Sequence, residues 1–341
     1  MKQSLKKISP LDPALTFESV FDLENTGDGI VAWRMPIADR EHYWPGLVNN
    51  VQVPAGVRLT TISDTCHLIL EASLEAAETE MMSFDLFCDG KCAKTVYSSP
   101  GQKLKLDFGE LRSGAKRLEI YLPTFSRVTV HGVWIDKAAS AYAWADKRDK
   151  FLVYGSSITQ CKRASSPSRA WPAAVANAMD WNLTCMGFGG QCLFDPLVAT
   201  AIRDRPADRI MLCMGINSYC NAFNERTWRA ATLGVIKAAR EGHPDAPIAV
   251  VSPVVCPKRE RTPGQTGMTL RLMRSWLKTS VAILRKQGDR KVYYIDGLKI
   301  LGLADKERLC DGIHPDAEGI EIMGRNVVSI FRAMKDWNSD A

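Results

Sequence analysis

FLVYGSSIT, residues 151–159, decides the fold. Four apolar residues run into Gly155 and two serines, the way a buried strand ends in a turn. The same form recurs downstream in NLTCMGFGG (182–190), RIMLCMGIN (209–217), PIAVVSP (247–253) and VYYIDGL (292–298). Between these runs lie segments of helical composition or period: WPAAVANAM (171–179), LVATAIRD (197–204), 225–242, TLRLMRSWLKTSVAILRKQ (269–287) and 316–337. Buried strands alternating with helices specify a parallel sheet covered on both faces, and five strands are expected here. Ligand sites of such sheets lie beyond the carboxyl ends of the strands.

Upstream the period changes. VRLTTISD (57–64), HLILEASLEA (67–76), MSFDLFCDG (82–90), KLKLDFGEL (103–111), KRLEIYLPT (116–124) and RVTVHGVWID (127–136) alternate apolar and polar residues. Turns such as Asp89-Gly90, Pro100-Gly101 and Ser113-Gly114 punctuate them. Regular short strands of this kind predict an antiparallel sandwich. A chain of 341 residues is long enough for two domains at roughly 100–200 residues each. The expected division is an all-β sandwich over 1–146 and an α/β domain over 147–341, joined near Ala138–Lys150, where both periods break. Charge divides at the same place: 15 Lys+Arg against 19 Asp+Glu before it, 29 against 19 after it.

Composition excludes several classes. Apolar residues make up 46% and charged residues 24%, a soluble globular balance that neither a disordered nor a collagen-like chain would have. No uncharged apolar run approaches the roughly 18 residues of a membrane span. A basic N-terminal cluster is followed by Ser9–Pro13 where a signal peptide needs apolar residues, so a soluble, cytoplasmic protein is expected. The ten cysteines form no CxxC pair and have no histidines at zinc spacing; they read as free thiols in a reducing compartment, with no metal site. The excess cations of the second half are spread over helices without interleaved aromatics, which argues against nucleic acid. No nucleotide motif or internal repeat occurs, and no cofactor is implied.

If the second half is a parallel sheet, its chemistry must gather in the loops after the strands. Gly155-Ser156-Ser157 follows the first, Gly187-Phe188-Gly189-Gly190 the second, Gly215-Ile216-Asn217 the third, and Asp311-Gly312-Ile313-His314-Pro315 lies beyond the last. Alone, each has a plain structural reading: a turn, a flexible loop, a helix cap at Asn217, a surface histidine. Together they supply a nucleophile, amide donors, a base and its orienter. A serine hydroxyl needs a base to take its proton, and imidazole titrates near neutral pH. Asp311, three residues before His314, can accept the Nδ1 proton and fix the tautomer. The Ser157 and Gly190 amides and the Asn217 side chain could bind the oxygen of a tetrahedral intermediate.

GSSIT, GFGG, GIN and DGIHP, in that order, resemble the four signature blocks of the SGNH, or GDSL-type, serine hydrolases. The resemblance spans roughly residues 150–335. It implies a flavodoxin-like three-layer α/β/α domain, with Ser157 as nucleophile, Gly190 and Asn217 as oxyanion donors, and Asp311 and His314 completing a triad. Departures are Ser156 before the nucleophile, Cys185 where the second block opens with Asn, and Ser218 after the third-block Asn. Ser156 is the alternative nucleophile. The sandwich ahead of GSSIT resembles a two-domain branch that includes a salicylyl acyltransferase of polyketide tailoring, with an N-terminal, jelly-roll-like domain similar to carbohydrate-binding modules.

Three functions follow as expectations: a carboxylic-ester hydrolase working through an acyl-serine, an acyltransferase using the same triad on an alcohol acceptor, or a non-catalytic binding protein. The expected substrate is a small-molecule ester or an acylated sugar. Met186, Phe188 and Met214 flank the catalytic loops and are candidates for an apolar acyl pocket, or core. CPKRERTPGQTG (256–267) follows the fourth strand; its Lys258, Arg259 and Arg261 either receive an anionic group of the substrate or are solvated loop cations.

Overall fold

A computed structural model describes residues 4–75, 81–220 and 223–337. The chain divides into two compact units. One comprises the chain up to His42, Val51–Lys147 and Ser166–Ser168; the other comprises Tyr43–Asn50, Arg148–Ser165 and the chain from Arg169 onward.

The first unit is built of antiparallel strands. These are β1 (Leu5–Ile8), β2 (Thr16–Glu18), β3 (Asp22–Asn25), β4 (Ile30–Trp33), β5 (Arg58–Ser63), β6 (His67–Glu75), β7 (Met82–Cys88), β8 (Lys91–Ser98), β9 (Gly101–Glu110), β10 (Lys116–Tyr121), β11 (Arg127–Asp136) and β12 (Ala141–Tyr142). One sheet runs β3-β4-β11-β6-β9 with β1 added on β11; the other runs β12-β5-β10-β7-β8 with β2 added on β5. The alternation read in the sequence is the cause. In β6, Leu68, Leu70, Ala72 and Leu74 are buried and join one core cluster with Phe108 of β9 and Val128 and Val130 of β11. Leu59, Phe84, Leu86, Leu118 and Ile120 of the other sheet belong to the same cluster, so the two inner faces bury each other. β8 and β3 carry little buried surface and show no alternation, which is why sequence periodicity passes over them.

The second unit holds the parallel sheet. Its strands are β13 (Lys150–Gly155), β14 (Asn182–Gly187), β15 (Arg209–Cys213), β16 (Ile248–Val251) and β17 (Val292–Ile295), in the order β14-β13-β15-β16-β17, every pair parallel. Helices α1 (Pro45–Val51), α2 (Ser157–Gln160), α3 (Trp171–Ala178), α4 (Pro196–Asp204), α5 (Glu225–Gly242), α6 (Leu270–Lys286) and α7 (Ala317–Arg332) complete the elements. Residues Phe151–Gly155 and all of β14 are buried, as in a sheet covered on both faces in a three-layer α/β/α arrangement. Three of the longer helices begin at side-chain caps: Asn224 for α5, Thr269 for α6 and Asp316 for α7. Phe331 stacks on Trp337 at a ring-centroid distance of 4.1 Å, and both close on Phe151 and Trp181 at the amino end of the sheet. From β13 the chain adds β14 on one side and then crosses to β15 on the other. This switch opens a crevice at the carboxyl ends of β13 and β15. Among the described residues, no helix is long and apolar enough to cross a membrane.

Candidate active site

The first turn beyond β13 sorts the two serines. Ser156 is the cap of α2: its Oγ accepts from the Ile158 amide at 3.2 Å, and the residue is buried. Ser157 opens the helix, half-buried, and its Oγ lies 2.8 Å from His314 Nε2. Ser157 N–H is among the first amides of α2, which no carbonyl of the same helix can accept.

His314 sits on a tight turn between β17 and α7. The Cys310 amide donates to the His314 carbonyl at 3.0 Å, Leu309 and Pro315 form an isolated bridge, and Asp316 starts α7 immediately afterwards. Within the turn, Asp311 Oδ1 accepts from the amides of Ile313 (3.0 Å) and His314 (2.7 Å). Its Oδ2 lies 2.7 Å from His314 Nδ1. Partial burial pushes the Asp311 carboxyl up, but the hydrogen bonds from the His314 amide and ring and from the Ile313 amide outweigh it and hold its pKa down to about 2. An ionised carboxylate only accepts, so the proton is on Nδ1 and Nε2 is left to accept from the serine hydroxyl.

The glycine loop after β14 is held from several sides. The Gly189 amide donates to both Asn50 Oδ1 and Gln160 Oε1, each at 2.8 Å. Asn50 Nδ2 donates to the Gly189 carbonyl at 3.1 Å and to the Gly46 carbonyl at 2.9 Å. Farther on, the Cys192 amide donates to Asn217 Oδ1 at 3.1 Å and the Phe194 amide to the Tyr154 hydroxyl at 3.1 Å. Asn217 therefore anchors the loop rather than capping its own turn. Because a backbone N–H only donates, the atom it meets is the carboxamide oxygen, and the Asn217 Nδ2 donor is not used in this bond. Gly190 has φ +71°, the left-handed conformation that favours glycine. A Cβ built on Gly189 would stand 3.7 Å from the Ser157 Cβ, so this loop lies against the serine. Asn50 and Gln160 are the residues that sequence reasoning passed over. Gln160 is three places from Ser157 on α2, but Asn50 is distant in sequence and no local pattern marks it.

Ser157, Asp311 and His314 open on a cavity of about 180 Å³, lined also by Cys161, Lys162 and Arg163. Of the residues expected at an acyl pocket, Met186 and Phe188 are fully buried, and Met214 lines a cavity of about 40 Å³ with Ser156 and Met211. In the loop after β16, Arg259 lies over the Tyr219 ring at 4.8 Å, Lys258 is exposed, and Arg261 lines another cavity, of about 640 Å³, with Arg271 and Arg274. The same loop reaches the His314 turn through Cys256, whose Sγ lies 3.3 Å from the Gly312 carbonyl. Among the described residues, no group of three or more His, Cys, Asp or Glu is placed to hold a metal ion. The arrangement can move a proton from a serine to an imidazole and hold the resulting imidazolium against a carboxylate.

The family model for GDSL-like lipases and acylhydrolases matches residues 148–331. A model for the N-terminal domain of SsfX3 matches residues 15–131. Among solved structures, salicylyl-acyltransferase SsfX3 from a tetracycline biosynthetic pathway is 29% identical with a TM-score of 0.89, over 96% of this chain and 97% of that one. A protein described as a GDSL-like lipase from Bacteroides ovatus is 20% identical with a TM-score of 0.77, over 97% and 98%. A family two carbohydrate esterase from Clostridium thermocellum, in complex with cellohexaose, is 15% identical with a TM-score of 0.67, over 95% and 99%. The last two likenesses are of fold alone. No curated protein matches the chain.

Proposed function

This chain belongs to the GDSL-like lipase/acylhydrolase family, and we propose that it is a carboxylic-ester hydrolase that works through an acyl-enzyme on Ser157. What supports this most is the continuous chain of contacts from Ser157 Oγ through His314 to Asp311, at 2.8 and 2.7 Å. Ser157 Oγ attacks the ester carbonyl as His314 Nε2 takes its proton. The charge on the carbonyl oxygen is met by the Ser157 and Gly190 amides and Asn217 Nδ2. Collapse expels the alcohol, which leaves with the proton from His314. Water then enters, gives a proton to His314 and attacks the acyl-serine; the acid departs and Ser157 is restored. In this reading residues 147–341 carry the chemistry, residues 1–146 form a sandwich module similar to carbohydrate-binding modules, and the substrate is a small-molecule ester or an acylated sugar.

A second reading is acyl transfer to an alcohol, with that alcohol in place of water in the second half-reaction. The likeness to a salicylyl-acyltransferase along nearly the whole of both chains favours it. Both readings require the same nucleophile. Ser157→Ala should abolish release of 4-nitrophenol from short-chain 4-nitrophenyl esters and covalent labelling by a fluorophosphonate, while Ser156→Ala keeps most of both. Peptide mass mapping checks it. A label on Ser156, or a folded protein that takes no label, counts against the proposal.

A further inference from the structure

The peptide joining Gly189 to Gly190 is the least restrained kind of linkage, because glycine on both sides leaves its plane free to rotate. Yet its orientation decides where the Gly190 N–H points. A trans peptide is planar, so the Gly190 N–H is directed opposite to the Gly189 carbonyl. One side chain holds Gly189 through both of its peptides: Asn50 Oδ1 takes the Gly189 amide, part of the preceding Phe188–Gly189 peptide, at 2.8 Å, and Asn50 Nδ2 gives to the Gly189 carbonyl, which lies in the Gly189–Gly190 plane and fixes it, at 3.1 Å. The second Nδ2 hydrogen goes to the Gly46 carbonyl at 2.9 Å, one turn earlier on α1, which fixes the carboxamide itself. Reversing the carboxamide would set its oxygen against two carbonyls and its NH₂ against an N–H, so only one orientation is compatible with these partners. Gln160 shares the Gly189 amide, but a glutamine oxygen on that amide does not hold the carbonyl. α1 also packs closely at Gly46, where a Cβ would stand 2.8 Å from the Gln191 side-chain nitrogen.

We propose that Asn50 is a positioning residue for acyl transfer: by gripping Gly189 at both its amide and its carbonyl, it aims the Gly190 N–H at the oxygen that becomes negative when Ser157 attacks. The proposal rests on the Ser157 reading and adds a residue from the sequence of the first half of the chain. Asn50 touches no reacting atom. Its effect is on the direction of a donor, and a donor misdirected by an ångström loses about a hundredfold in rate. The ground-state ester carries little charge on that oxygen, so its binding is affected less.

The test uses the full chain with a 4-nitrophenyl ester and an alkylboronic acid, which forms a tetrahedral adduct on a reactive serine. The wild type comes first: turnover and boronate inhibition lost in Ser157→Ala establish the reading on which the proposal rests, and their absence from the wild type refutes that reading alone. Asn50→Ala removes both grips. Asn50→Asp keeps the shape and the acceptor for the Gly189 amide, but sets an oxygen against the Gly189 carbonyl. Both should lower kcat about ten- to a hundredfold, leave KM within about threefold, and weaken boronate inhibition in parallel with kcat. Asn49→Ala, a neighbouring exposed position, should change none of these. Unchanged kcat and boronate inhibition in either folded Asn50 variant overturns the proposal, as does an effect confined to KM. Loss of the fold in both variants makes Asn50 a structural residue and overturns it equally.

Discussion

Asp311 is the residue whose environment makes a quantitative statement about pH. Its carboxyl is held down to about 2 from an ordinary value of 3.8. A folded pKa below the unfolded one means that the ionised form stabilises the fold; the contribution is complete above about pH 4 and is lost as pH falls through about 2. Asp311→Asn removes that dependence. The difference in melting temperature between the wild type and Asp311→Asn should shrink as pH falls from about 4 to 2, as scanning calorimetry at stepped pH would record. A difference that does not change between about pH 4 and 2 would contradict the assignment. Activity behaves differently. Asp311 is ionised well above pH 2, so it should contribute no titration to activity over the neutral range. Asp311→Asn should lower kcat by about 10⁴-fold without unfolding the protein, because the amide no longer selects the Nδ1–H tautomer.

At the scale of elements, α2 carries Ser157, the proposed nucleophile, and its position depends on the end of β14. A Cβ on Gly187 would stand 2.5 Å from the Gln160 nitrogen and 2.8 Å from the Thr159 carbonyl carbon. Both are backbone atoms, so α2 would have to move. Gly187→Ala should therefore destabilise by about 1–3 kcal/mol and lower kcat together. Gly234 is the contrast: it lies within α5, is exposed, and has no atom within 4 Å of a built Cβ. Gly234→Ala should raise the melting temperature, by up to about 1 kcal/mol of stability, and leave kcat unchanged. Thermal melts and steady-state kinetics on the pair check both. The strands β13 to β17 were legible because each is an apolar run closed by small residues. β3 and β8 were not, since exposed strands of an antiparallel sheet need only pair through their backbones and carry no period. The four loops could be read as one group because topology sends every strand end in a parallel sheet to the same edge. Their internal bracing could not, because Tyr154, Asn217 and Gln160 act there through hydrogen bonds to backbone amides, which leave no trace in composition.

For the whole molecule, the two proposed activities differ only in what relieves the proposed acyl-enzyme. Water and an alcohol compete for one intermediate, so adding a primary alcohol should convert acid product into ester in proportion to its concentration. The rate of first-product release should stay constant wherever acylation limits. Chromatography of both products against alcohol concentration checks this, and absence of ester at every concentration restricts the protein to hydrolysis. The sequence separated an alternating half from a strand–helix half because the period of burial differs between them. It did not reveal that Tyr43–Asn50, embedded among sandwich strands, belongs to the compact unit of the parallel sheet. A seven-residue helix with the sequence PGLVNNV has no periodicity long enough to announce its allegiance.

That membership bears on how such genes can recombine. A single crossover at the codon for residue 147 would seem to exchange one intact module for another. In this protein it would also replace Asn50, because the segment that grips Gly189 is encoded about a hundred codons upstream of the serine it serves. On the proposed role of Asn50, functional chimaeras should need a matching pair of exchanges around codons 43–50, or a donor sandwich that already carries an equivalent asparagine. If Asn50 positions the loop as proposed, the gene carries this site as two separated stretches, codons 43–50 and those from 148 onward.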